Sequence, residues 1–207
     1  MPRKSKTRAT APTRSDASAP PLSIRYAELL SREIILASPK TLIHEVLKIG
    51  DAPNVDWYYV DTPSSVVVVP VTCDRRLVMV QQYRHNLKRD VLEFPAGTVR
   101  SGEALGTAAL RELIEETGFT IASDALLVLG RFYVLPSETN RYTTIYLGRA
   151  AKKVSEPRYD TKLERYFDMQ VRHLGLEEAI SEIGLAIQGL ETVTALMLAR
   201  DEINRGT

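Results

Sequence analysis

The chemistry of this chain is concentrated in residues 97–119, GTVRSGEALGTAALRELIEETGF. Glu112, Glu115 and Glu116 are three carboxylates in one turn and a bit of sequence, with Glu103 upstream and Arg111 among them. At about 100° per residue, Glu112, Glu115 and Glu116 share one face of a helix, and Leu110, Leu113, Ile114 and Thr117 take the other. Like charges at Glu112 and Glu116, spaced i and i+4, cost a few tenths of a kcal/mol, about the size of one helix-surface pair. Something must offset that cost. One reading is a solvated acidic face partly neutralised by Arg111. The other is a hard-cation site, because clustered carboxylate oxygens suit Mg²⁺ or Mn²⁺ and offer no soft ligand.

The element that must carry these groups is a helix over residues 103–117. Ala, Leu, Arg and Glu dominate it, no Pro interrupts it, and Gly118 stands where a left-handed cap is wanted. Gly97 lets backbone approach closely before the helix, so the carbonyl of Ala96 or Gly97 is a further oxygen ligand in reach. Glu103 lies nearly opposite Glu112 on a helical projection, which leaves a structural ion pair or cap competing with ligation. Arg111 is placed to orient its carboxylate neighbours.

The remaining segments read mostly as strands. EIILAS, TLIHEVLKI and WYYVDT are rich in β-branched and aromatic residues and separated by turn signals, which predicts a small antiparallel sheet. SSVVVVPV and RRLVMVQQYR form a hairpin about a Cys73-Asp74-Arg75 turn, and residues 66–69 are apolar enough to be buried on both faces. LLVLGRFYV and TTIYLGRA supply two strands after the acidic helix, a strand is expected around residues 166–171, and residues 176–183 and 190–204 read as helices. The expected domain division is a disordered basic tail at 1–22, a β-sheet region at 23–61, and the main domain at 62–207.

Composition narrows the function classes. With 27 basic and 26 acidic residues the net charge is +1, so no global field argues for nucleic acid or membrane partners. Cys73 is the single cysteine, which excludes an intrachain disulfide, and its apolar setting suits a buried bystander better than a nucleophile. No apolar run approaches the roughly 18 residues needed to cross a bilayer, and no signal-peptide core follows the basic start. The expectation is a cytoplasmic protein.

The spacing is more specific than a generic acidic helix. Gly97, five residues, Glu103, seven residues, then Arg111-Glu112-Leu113-Ile114-Glu115-Glu116-Thr117-Gly118-Phe119 resembles the Nudix hydrolase box at every defined position. The flank VMVQQYRHNLKRDVLEFPAG is similar to the ADP-ribose pyrophosphatase branch, and the similarity runs over about residues 25–205. The resemblance implies an α+β fold, a Nudix α/β/α sandwich with a mixed sheet plus a small N-terminal antiparallel sheet. It implies Mg²⁺, with Mn²⁺ as an alternative, held by Glu112, Glu115, Glu116 and the Ala96 carbonyl. It also implies a homodimer, with the 23–61 sheet region serving dimerisation and 62–207 as the hydrolase domain, and a nucleoside diphosphate sugar as substrate, cleaved at the diphosphate to a nucleoside monophosphate and a sugar phosphate.

By the same likeness Arg84 contacts the diphosphate, where a guanidinium fork meets two oxygens at once, and Glu93 lies near the substrate. A surface ion pair is the plainer reading of Arg84. Trp57 and its neighbours Tyr58 and Tyr59 read as a base-stacking platform or as ordinary sheet aromatics. Two departures from the branch pattern stand out. Leu135-Pro136-Ser137-Glu138-Thr139 replaces the usual Ser-Pro-Gly loop, which keeps GDP-mannose or ADP-glucose open as substrates and makes Glu138 a substrate-binding candidate. The general base, a Glu in the branch, falls among Glu156, Asp160, Glu164 and Asp168, and Glu164 is chosen to act with Glu115 and Glu116. The rival class is a Nudix domain that binds its ligand without cleaving it and regulates a partner. A housecleaning hydrolase of damaged nucleoside triphosphates leaves the N-terminal strands and residues 92–97 unexplained.

Overall fold

The computed structural model describes residues 27–37, 40–158, 166 and 169–205. The basic N-terminal tail and Glu164, with Asp160 and Asp168, lie outside the described residues. The chain divides into two compact units, Met1–Arg32 with Glu45–Trp57, and Glu33–His44 with Tyr58–Thr207. The first three strands, β1 (Glu28–Ala37), β2 (Thr41–Lys48) and β3 (Val55–Asp61), form the small antiparallel sheet in the order β1-β2-β3, and the boundary between the units crosses all three.

The second unit holds an eight-stranded mixed sheet. Its path is β11-β5-β4-β10-β8, with β6 added on β5, β7 on β4 and β9 on β10. The strands are β4 (Ser65–Thr72), β5 (Leu77–Arg84), β6 (Arg89–Glu93), β7 (Ala96–Thr98), β8 (Phe119–Thr120), β9 (Leu126–Tyr133), β10 (Tyr142–Lys153) and β11 (Gln170–Leu174). β4 and β10 run parallel, from Thr143 opposite Ser65 to Arg149 opposite Val71. Both are apolar over their centres because both faces are covered, as a parallel pair requires.

Alternation along β4 sorts the two cores. Val66 and Val68 pack with Ala108, Ala109 and Leu113 of α1 (Leu105–Thr117), while Val67, Val69 and Val71 pack with Ala179 of α2 (Leu176–Ser181) and with Ala195, Leu196, Ala199 and Ile203 of α3 (Leu190–Arg205). A mixed sheet between α1 and the α2–α3 pair is the α+β sandwich expected from the sequence.

One topological detail places the site. β4 and β5 pair at Val71 and Leu77 only, and then separate. The chain leaving β6, hydrogen-bonded to β5, crosses the gap at Phe94 and Pro95, where the Pro95 carbonyl accepts from the Val68 amide at 2.9 Å. It enters β7 on β4 and delivers Ala96, Gly97 and Thr98 directly ahead of the acidic helix.

Two boundaries differ from the sequence reading. α1 starts at Leu105, because Glu103 is drawn into a turn in which its own amide bonds the Arg100 carbonyl at 3.0 Å and its carboxylate takes the Arg100 amide at 2.9 Å. The last strand starts at Gln170, where its ladder to β5 begins, and excludes Tyr166. Cys73, expected in an apolar setting, is exposed in the turn after β4.

Candidate active site

Arg111 is the hub of the acidic helix. Its Nε and Nη2 donate to the two oxygens of Glu103 at 2.8 and 2.9 Å, Nη1 donates to Glu112 at 2.7 Å and Glu115 at 3.0 Å, and Nη2 also reaches the Thr98 carbonyl at 3.0 Å. The bidentate bond to Glu103 is the strong geometry for this pair, and it assigns Glu103 a structural role. Arg111 hydrogen bonding, followed by the Arg100 amide, holds the Glu103 carboxyl down to about 2. Glu112 moves the other way: burial raises its pKa, and Arg111 opposes the shift.

Gly97 makes room for Glu112, since a Cβ there would overlap the Glu112 carboxylate. Glu116 turns toward the preceding strand, where its Oε2 accepts from the Ala96 amide at 3.0 Å. Glu112, Glu115, Glu116 and Ala96 are thus brought to one end of α1 and β7. Among the described residues no three acidic, His or Cys side chains converge as a ready ligand set, because Arg111 shares out Glu112 and Glu115. The donors are nonetheless all hard oxygens, and Glu112 is a largely buried carboxylate, 12% exposed, whose desolvation a cation would offset.

Arg84 and Glu93 are also brought together. Arg84 donates from Nη2 and Nε to Glu93 Oε2 at 2.6 and 3.1 Å, and Gln82 Nε2 adds a third bond to that oxygen at 2.8 Å. Arg84 therefore does form an ion pair, on a guanidinium that stays 45% exposed. Glu138 is exposed in a loop whose backbone is fixed, its carbonyl accepting from the Val60 amide at 2.8 Å. Trp57 is in the first unit, 44% exposed. Of the base candidates, Glu156 is exposed and pairs with Lys153 at 2.8 Å. Arg158, a described residue on the N-terminal side of Glu164, donates its amide to the Glu115 carbonyl at 2.7 Å.

Sequence reasoning missed Arg141 and Glu191. Arg141 Nη2 donates to Glu191 Oε2 at 2.7 Å, Thr143 Oγ1 donates to Glu191 Oε1 at 2.5 Å, and Thr143 meets the buried Ser65 hydroxyl at 2.6 Å. The signal for them was weak: polar Thr143 and Thr144 ahead of the apolar centre of β10, and Glu191 at the head of a helix.

A metal-suited helix set beside a split mixed sheet defines a class of fold and site, and the family comparison agrees with it. The NUDIX domain model matches residues 61–183, and the chain belongs to the Nudix family. It is 33% identical over 118 residues to the ADP-ribose pyrophosphatase of Bacillus subtilis (strain 168), covering 57% of this chain and 61% of that protein. It is 32% identical over 121 residues to the methanol dehydrogenase activator of Bacillus methanolicus, covering 58% and 63%. The matched stretch thus spans less than two thirds of either relative. A crystal structure of an ADP compounds hydrolase superposes with a TM-score of 0.76 at 20% identity, over 89% of this chain and 97% of that one, a likeness of fold.

Proposed function

We propose that the protein hydrolyses the diphosphate bond of a nucleoside diphosphate sugar, ADP-ribose foremost, to a nucleoside monophosphate and a sugar phosphate. The observation that carries this reading is the set of hard oxygen donors at the junction of β7 and α1, with Arg84 at the end of β5 bonded to Glu93 of the adjoining β6. Glu112, Glu115, Glu116 and the Ala96 carbonyl would hold Mg²⁺, or Mn²⁺ in its place. Such an ion, when bound, screens the charge of the diphosphate and acidifies water. Water adds to one phosphorus, the bridging P–O bond breaks, and the proton lost by the water goes to a carboxylate that we assign to Glu164.

Arg84, held at one edge by Glu93, turns its remaining donors to the diphosphate oxygens. Glu138 and Trp57 are assigned to the nucleoside and sugar. The proposal includes a homodimer in the cytoplasm. Glu112 and Glu115 also accept from Arg111, so a metal ion held here would share both carboxylates with that guanidinium.

The test is phosphatase-coupled turnover of ADP-ribose, ADP-glucose, GDP-mannose and UDP-glucose with Mg²⁺. Preference for ADP-ribose supports the reading as stated, and preference for another sugar shifts the specificity to the loop over residues 135–139. A second reading is favoured by the similarity to a dehydrogenase activator: a domain that acts on a partner enzyme. Absence of turnover with all four compounds, with ligand binding retained, would leave that reading standing alone.

A further inference from the structure

We propose that Arg141 is a second diphosphate-binding guanidinium and that Glu191 is the residue that positions it, an inference that rests on the nucleotide-sugar reading above. Arg141 follows a loop whose backbone is fixed at almost every step. Leu135 takes a left-handed φ of 48°, a strained state for a branched side chain, and its carbonyl accepts from the amides of Glu138 at 2.8 Å and Thr139 at 3.0 Å. Asn140 bonds the Thr62 amide at 3.2 Å and Asp61 at 2.6 Å, and Thr139 Oγ1 accepts from the Arg141 amide at 3.1 Å. So rigid a mounting on an exposed loop aims whatever side chain follows it.

That side chain is an arginine with donors to spare. Among the described residues only Nη2 is hydrogen-bonded, to Glu191, while Nε is buried with no partner and the side chain remains 28% exposed. A buried unsatisfied N–H lowers stability, so packing alone does not account for an arginine here. Arg84 differs, with both Nε and Nη2 committed to Glu93. The two guanidinium–carboxylate pairs border the same turn. A Cβ on Gly189 would lie 3.9 Å from Glu93 Oε1, and Glu191, two residues on, holds Arg141. Thr143, two residues after Arg141, stands opposite Ser65 of β4, and Ser65 stands opposite Thr98 of β7, so Arg141 lies at the same end of the sheet as the junction of β7 and α1 that carries the hard oxygen donors. Glu191 keeps one edge of the Arg141 fork and is itself fixed by Thr143 and, through it, Ser65. A planar fork held on one edge presents the other to phosphate oxygens.

The experiment is calorimetric titration of inorganic pyrophosphate into wild type, Arg141→Met, Arg141→Lys and Glu191→Gln with Mg²⁺, alongside KM and kcat for the four nucleoside diphosphate sugars and a thermal melt. Arg141→Met is expected to weaken pyrophosphate and raise KM for every sugar by about tenfold, with kcat within about threefold, since a contact common to all these substrates is removed. Its melting temperature should not fall, because an unsatisfied donor goes with it. Arg141→Lys should lie between, and Glu191→Gln should follow Arg141→Met more weakly. Unchanged pyrophosphate affinity and KM would overturn the proposal, as would a KM effect confined to one sugar. If wild type turned over none of the sugars, the hydrolase reading would fall, while pyrophosphate affinity would still decide the role of Arg141.

Discussion

Arg111 and Glu103 form a bidentate ion pair at the site, and they divide structural from chemical carboxylates. Glu103 has a folded pKa of about 2 against an ordinary 4.5, so it contributes stability that is complete above about pH 4.5 and is lost as pH falls toward 2. Glu103→Gln should flatten the acid limb of a plot of unfolding free energy against pH over that interval, read by urea titration. Glu115→Gln and Glu116→Gln belong to the other group. Each should lower kcat by orders of magnitude while moving the melting temperature little, because neither side chain is part of either core cluster. Near-full activity in both would remove the metal reading. The box carboxylates were legible because they sit in fixed register along one helix. Arg141 and Glu191 were not, since fifty residues separate them and only the fold brings them together.

At the scale of elements, two glycines serve α1 for different purposes. Gly97 clears space for Glu112, and Gly118, at φ 72°, ends the helix in the left-handed region with its carbonyl accepting from Val154 and Ser155. Gly118→Ala should destabilise by at least the roughly 1–2 kcal/mol of the left-handed conformation, because a Cβ also meets the Ser155 carbonyl. A denaturant melt measures it, and an unchanged midpoint would show that the cap relaxes freely. The helix, its cap and most strands were readable from periodicity and turn residues. The early turn at Glu103 was not, because a side chain that bonds a backbone amide three residues back competes with helix in a way that propensity does not register. Nor was the crossing from β6 to β7, which depends on β4 and β5 parting after a single pair.

For the molecule as a whole, sandwich class and family were legible because the box, the buried β4 run and the terminal helices all point the same way. The partition of the chain into two units through the middle of β1, β2 and β3 was not, since strand patterns carry no record of long-range contacts. Removal of divalent ions by a chelator should abolish turnover and lower the melting temperature only by the linkage expected of a weak ligand, with Mg²⁺ restoring both. Collapse of the fold on chelation would contradict this.

That prediction traces back to one guanidinium. Arg111 is a counter-ion written into the sequence: it spreads one positive charge over Glu103, Glu112 and Glu115, so part of the repulsion among these carboxylates is eased by the chain itself. Small metallo-domains whose ligands repel one another until loaded have no such reserve. A chain with its own counter-ion at the acidic helix should fold without the cation that its proposed chemistry needs.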